Sequence, residues 1–359
     1  MNPIIEEDIR EIADSVASEA KQLSGSTLLI SGAAGFLGSY IVAVVDYLNQ
    51  NVLSLPCKVI AVDNFITGAR VGLLDEIASP DIVRIEADIT KPLRLPDTID
   101  YIVHAAGLAS PVYYRKYPLE TVEVTVTGTK NLLELAKKCK TKSFLFFSSS
   151  EIYGDPDPKF IPTPETYRGN VSSIGPRACY DESKRLAETI SMIYYEFFGV
   201  PVKIVRPFNI YGPLMKPNDR RVIPAFLSSA IMGRPLPVHD RGTQTRTYCY
   251  ISDAIAGFFK VLLSPKNGEV YNVGNDQDEL SVKNLAEMVS ELFGGGIQVQ
   301  MIDYPDSYPA DEPKRRCPDL EKIRYELNFE PRVGIHKGLK RTLDWFESAF
   351  SREALMSMK

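Results

Sequence analysis

The chain has 359 residues, 44% of them hydrophobic and 24% charged, with a net charge of −5; this is the balance of a soluble globular protein built as one large domain or two interlocked ones. The acidic balance argues against a nucleic-acid or anionic-membrane surface, and no apolar run approaches the roughly 18 residues that a membrane span requires. Five cysteines (Cys57, Cys139, Cys179, Cys249 and Cys317) show no CxxC pair and no metal-like spacing, so free thiols in a reducing cytoplasm, and no bound metal, are expected.

Ile4, Ile5, Ile9, Ile12, Val16 and Leu23 fall at roughly helical spacing. They predict an amphipathic extension over residues 1–25 that packs on the body or on a second subunit; its acidic, periodic start is not that of a signal peptide. From residue 26 short apolar runs alternate with helical patterns. "TLLISG", "KVIAVDN", "IVRIEAD", "DYIVHAAG" and "SFLFFSSS" read as five strands, with helices at "FLGSYIVAVVDYL" and "PLETVEVTVTGTKNLLELAKKC". "CYDESKRLAETISMIYYEFF" is a further helix, closed by Gly199 as a C-cap, and "VKIVRPFN" is a sixth strand. This alternation predicts an α/β fold, a doubly wound parallel sheet of the Rossmann type. After residue 206 prolines become frequent and the alternation lapses. That shift predicts a nucleotide-binding domain over 26–205 with a return segment near 240–275. A smaller α/β substrate lobe is expected from 206–239 and 276–359, ending in helices at "DLEKIRYEL" and "GIHKGLKRTLDWFESAF".

The first strand runs into Gly32-Ala-Ala-Gly35-Phe36-Leu37-Gly38 and then a helix. Glycine permits the tight turn and lets backbone approach a pyrophosphate, while the helix N-terminus offers free N–H groups and partial positive charge. Asp63 ends the next strand, where an acid hydrogen-bonds the adenosine ribose hydroxyls and repels a 2′-phosphate. NAD is therefore expected rather than NADP, with Arg70 nearby as the one opposing charge. Asn64, Asp88 and Ile89 are further cofactor candidates; Asp88 suits the adenine edge or, equally, a loop cap.

"FFSSSEIYG" puts Ser148, Ser149 and Ser150 at the end of the fifth strand, on the crevice side of such a sheet. Tyr180 and Lys184 follow, four positions apart at the start of a long helix. A phenol with an ordinary pKa near 10 becomes a usable base only beside positive charge, which a lysine ammonium provides.

In order and spacing these motifs resemble the extended short-chain dehydrogenase/reductases that modify nucleotide sugars, and the resemblance covers nearly the whole chain from residue 26 onward. It implies that Tyr180 is the catalytic base and that Lys184 also holds the nicotinamide ribose. Ser149 or Ser150 would then position the sugar hydroxyl being oxidised. Ala105, Ala106 and Gly107, after His104 in "HAAG", would line the cofactor. "SSSEIYGDP", "GPRACYDESKR", "QTR" and "KRRCPD" are similar to segments of the UDP-glucuronate decarboxylases, which make UDP-xylose. The implied reaction is redox-neutral: C4 oxidation, loss of the C5 carboxylate from the β-keto acid, and re-reduction at C4. Glu151 and Arg316 (with Arg315 as the fallback) would handle the carboxylate and the proton returned to C5.

Further substrate positions implied are Tyr113, Tyr114, Asn209 and His239, with Arg221 and Arg246 as candidates for the diphosphate. The resemblance also implies a homodimer. Glu123, His239, Arg220 and Ser183 depart from the decarboxylase pattern, and an acid at 123 beside the sugar would disfavour glucuronate. A 4-epimerase, 4,6-dehydratase or 4-ketoreductase on another nucleotide sugar is the alternative. A nucleotide-binding regulatory or scaffold protein that keeps the fold but has lost catalysis is the third reading, and the intact Tyr180 and Lys184 argue against it.

Overall fold

Strands covered on both faces have no solvent side, which is why the apolar runs of the first half are nearly continuous rather than alternating. The computed structural model describes residues 1–93, 95, 98–303 and 313–357. Its central sheet contains β1 (Thr27–Ser31), β2 (Lys58–Asp63), β3 (Ile82–Glu86), β4 (Tyr101–His104), β5 (Ser143–Phe147), β6 (Val202–Pro207) and β7 (Glu269–Val273). The order is β7-β6-β5-β4-β1-β2-β3, and every neighbouring pair is parallel. Chain direction around the sheet reverses between β1 and β4, the place where open α/β sheets open a ligand crevice.

The principal helices are α1 (Pro3–Ala20), α2 (Phe36–Asn51), α3 (Pro118–Cys139), α4 (Ala178–Phe198), α5 (Val222–Ile231), α6 (Ile251–Leu262), α7 (Val282–Leu292) and α8 (Ile335–Ala349). Alternation along β1 divides the core. Leu28 and Ile30 pack with α1, α2 and α6 on one face, whereas Leu29 packs with α3 and α4 on the other. Gly199 takes a left-handed φ of 68° and closes α4.

In the second half the structure departs from simple alternation. Leu236–His239 pairs in parallel with Val299–Ile302. Thr245–Arg246 lies between Leu280–Ser281 and Arg315–Arg316 in a three-stranded sheet of two-residue strands. Strands this short carry no periodic signal, so they were invisible in the pattern. Among the described residues no helix is long and apolar enough to cross a membrane.

α1 packs on α2 and α6, and a buried charge fixes it there. The fully buried Asp8 accepts hydrogen bonds from the Tyr40 hydroxyl at 3.2 Å, the Tyr250 hydroxyl at 2.9 Å and the Arg341 guanidinium at 3.1 Å. Burial pushes its carboxyl up to about 7, against the opposing pull of Tyr250 and Arg341. Removing the acceptor strands the two buried Tyr40 and Tyr250 hydroxyls, while Arg341 keeps Glu7 and Glu11. Asp8→Ala is therefore expected to lower unfolding free energy by about 2–4 kcal/mol in urea titrations. Because folded Asp8 binds its proton more tightly than the unfolded chain, its contribution is undiminished below about pH 4 and declines as pH rises toward 7.

Candidate active site

The loop after β1 is built on contacts that only glycine allows. Gly32 has φ +75°, and a Cβ there would lie 2.7 Å from the Ala106 backbone after β4. A Cβ on Gly38 would lie 2.1 Å from the Gly32 carbonyl oxygen, inside any tolerable contact. Gly35 caps α2. The Asp63 carboxylate accepts from the Ala34 and Phe65 amides at 2.9 and 2.8 Å, binding the end of β2 to the loop. Gly32, Gly35, Asp63, Asn64, Asp88, Ile89, Ala105, Ala106 and Gly107 line one cavity of about 320 Å³. Phe36, Leu37 and Gly38 form the first turn of α2 behind Gly35. Asp88 also caps its own turn, accepting from the Thr90 amide and hydroxyl.

These residues fit a dinucleotide: the missing Cβ atoms let the loop close tightly on the start of α2 and on the backbone after β4, leaving the helix N-terminus open to a pyrophosphate, and an acid stands where a ribose would be read. Arg70 does not oppose this, because its guanidinium is paired with Glu86 through contacts of 3.0 and 2.6 Å. Glu123 opens onto the same cavity, with its carboxylate accepting from the Thr127 hydroxyl at 2.7 Å.

Tyr180 and Lys184 lie one turn apart at the start of α4, both buried. The side chains of Tyr180 and Ser149 are hydrogen-bonded. Tyr114 is itself buried, and its ring stacks on that of Tyr180 with centroids 5.5 Å apart and 19° between planes. Lys184 donates to the Phe147 carbonyl at 2.6 Å, and its Nζ lies 5.8 Å from the centre of the Tyr180 ring. The expected acidification of Tyr180 by this ammonium is not present in the chain by itself. Burial pushes the phenol up to about 12, assisted by the Glu151 and Asp181 charges, and pushes Lys184 down to about 7. His104, buried beneath, accepts or shares a proton with the Ser31 hydroxyl at 2.8 Å, and burial pushes it down to about 3.

Glu151, in the 3-10 turn Ser150–Tyr153, is the centre of a second cluster. Arg316 grips its two oxygens at 2.6 and 2.8 Å, and Arg177 donates to one of them. Burial alone would raise this carboxyl, but Arg316 and Arg177 outweigh it and hold Glu151 well below the usual carboxylate range. Arg316 pairs across the small sheet with Arg246, whose guanidinium donates to the carbonyls of Thr245, Pro313 and Lys314. Arg315 points elsewhere and pairs with Glu279. Arg177 and Asp181 escaped the sequence reading, although Arg177 stood in the quoted "GPRA" and lies four residues before Asp181.

Residues 28–274 match the NAD dependent epimerase/dehydratase family. The chain is 40% identical over 316 residues to UDP-glucuronic acid decarboxylase 5 of Arabidopsis thaliana, covering 88% of each. It is 37% identical to UDP-glucuronic acid decarboxylase 1 of Xenopus tropicalis, covering 91% of this chain and 73% of that one. The chain belongs to the NAD dependent epimerase/dehydratase family. Among solved structures, UDP-glucuronic acid 4-epimerase from Bacillus cereus, in complex with UDP-glucuronic acid and NAD, aligns with a TM-score of 0.74 at 27% identity. That alignment covers 90% of this chain and all of the other. The dTDP-glucose 4,6-dehydratase of Streptomyces venezuelae, with NAD bound, aligns with a TM-score of 0.77 at 25% identity, covering 90% and 97%.

The other expected site residues of this epimerase/dehydratase are placed as follows. Arg221, just before α5, is held by Asp219 at 2.9 and 2.6 Å, and its charge lowers the Tyr180 phenol. Asn209, at φ +41°, donates to the Thr247 carbonyl at 2.9 Å. His239 ends the strand Leu236–His239, with its ring 3.4 Å from the Asp303 carbonyl. Tyr113 lies under the Lys216 ammonium, 5.7 Å from ring centre to Nζ.

Two outcomes follow for the epimerase/dehydratase. Gly38→Ala must push α2 off the loop, so NAD affinity is expected to fall by about 100-fold or more in calorimetric titration. Tyr180→Phe removes the proton acceptor without touching the glycine loop. It is expected to lower kcat by roughly 1,000-fold or more while NAD binding is kept, as read by steady-state kinetics and calorimetry.

Proposed function

We propose that this protein is a UDP-glucuronate decarboxylase that forms UDP-xylose. The observation that carries the reading is the Glu151–Arg316–Arg177 cluster beside Tyr180, together with 40% identity to a decarboxylase over 88% of the chain. Bound NAD supplies a hydride acceptor for C4, a donor for the ketone afterwards, and a positive ring that favours the Tyr180 phenolate. Tyr180 takes the C4 hydroxyl proton, with Ser149 holding that hydroxyl in place. Ser150 opens the turn that presents Glu151. Arg316 turns from Glu151 to the C5 carboxylate, which leaves the anionic Glu151 beside a second negative charge. Loss of carbon dioxide relieves that repulsion and moves negative charge onto the C4 oxygen, where the Tyr180 and Ser149 hydroxyls donate. The enolate then takes a proton from water at C5, which restores the C4 ketone for reduction. A carboxylate clamped by arginine also hinders the ring rotation that a 4-epimerase needs.

On the same reading, residues 206–239 and 276–359 form the nucleotide-sugar lobe, with Arg221 and Arg246 toward the diphosphate end and Asn209, His239 and Tyr113 along the substrate path. Tyr114 supports Tyr180 from behind. Leu186, Ile193 and Phe197 are exposed along α4, which supports a homodimer joined through that helix in the cytoplasm.

Incubation with UDP-glucuronate and NAD is expected to release carbon dioxide and UDP-xylose without accumulating NADH. Arg316→Ala is expected to lower kcat/KM by about 100-fold or more. UDP-galacturonate without carbon dioxide would make the enzyme a 4-epimerase instead. Turnover of a neutral nucleotide hexose alone would move it to the dehydratase or ketoreductase side.

A further inference from the structure

Asp181 has no part in the reaction as described, yet it is buried against the charge cluster that receives the substrate carboxylate. Its Oδ2 lies 3.6 Å from Arg177 Nε, while the same guanidinium donates to Glu151. Its Oδ1 is shielded from solvent and has no hydrogen-bond partner among the described residues. Arg177 is thus contested by two carboxylates, and Glu151 holds the closer position.

We propose that Asp181 is a positioning residue that sets the charge of the carboxylate-binding cluster. Protonated, it leaves Arg177 to Glu151; ionised, it draws on Arg177 and weakens binding of an anionic sugar. Asp181 is faced by Arg177 and Tyr180 on its own helix, by Glu151 on the turn after β5 and by Arg316 on the small sheet, with Arg246 behind Glu151. Burial, and then the Glu151 charge, hold its carboxyl well above the usual carboxylate range, so the change of state falls near neutral pH. With Asp181 protonated, the guanidinium groups of Arg177 and Arg316 face the single carboxylate of Glu151. Ionisation removes one unit of that excess positive charge. The inference rests on the decarboxylase reading only in that the ligand carries a carboxylate.

The test compares UDP-glucuronate with UDP-glucose, which lacks the carboxylate, by calorimetry between pH 6 and 8.5. It uses the NAD-loaded Tyr180→Phe enzyme, whose turnover is roughly 1,000-fold slower, with the Asp181→Asn change made in the same background. The ratio of the two Kd values is expected to rise roughly tenfold across this range, the effect of one added negative charge near the site. In Asp181→Asn, a neutral isostere of the protonated acid, the ratio is expected to be independent of pH. A slope that persists in Asp181→Asn overturns the proposal. The wild type should also show a protonated-carboxyl infrared band from Asp181 that titrates near neutrality. Asp8 also titrates there, so the band of Asp181 is read as the wild type minus Asp181→Asn infrared difference; absence of a protonated-carboxyl band from that difference at pH 6 overturns the proposal without reference to any ligand. Failure of the wild type to bind UDP-glucuronate at all overturns the decarboxylase reading, while the infrared titration still decides the state of Asp181.

Discussion

A carboxylate removed from water must be given positive partners, and Glu151 draws them from two other parts of the chain. Its own place is set by the turn after β5. That turn is anchored by Tyr153, whose hydroxyl donates to Asn272 and accepts from Arg206, both at 2.8 Å. One partner, Arg177, comes from the start of α4; the other, Arg316, lies 165 residues further along the chain. Arg316 can reach Glu151 only because its two-residue strand lies parallel to Thr245–Arg246.

Burial acts on the catalytic pair in opposite senses. It raises the Tyr180 phenol and lowers the Lys184 ammonium, so each is driven toward its neutral form. Tyr114 stacked on one side and the Ser149 hydroxyl on the other hold the phenol in place in that resting state. A base built in this way is quiet until positive charge arrives beside it, which ties proton removal to the filled site.

Much of this was legible before any coordinates. The buried strands, the glycine loop and the Tyr–Lys helix follow rules that act within one element, such as period, capping and the absence of a Cβ. Glu123 shows the limit. Its number placed it after the fourth strand, but only the path of α3 shows that it opens onto the cofactor cavity and is tied to Thr127. Asp8 lay in a helix with no apparent chemistry, yet it is the buried acceptor that fastens α1 through Tyr40, Tyr250 and Arg341.

By itself the sequence determined the doubly wound sheet, the glycine loop Gly32–Gly38 with Asp63 at the end of the next strand, and the spacing of Tyr180 and Lys184, because each depends on neighbours within a few residues or one turn. The tertiary structure alone decided that Arg316 rather than Arg315 faces Glu151 and that Arg177 is shared with Asp181. Those outcomes balance desolvation against Coulomb attraction between groups far apart in the chain, and no local pattern encodes that balance.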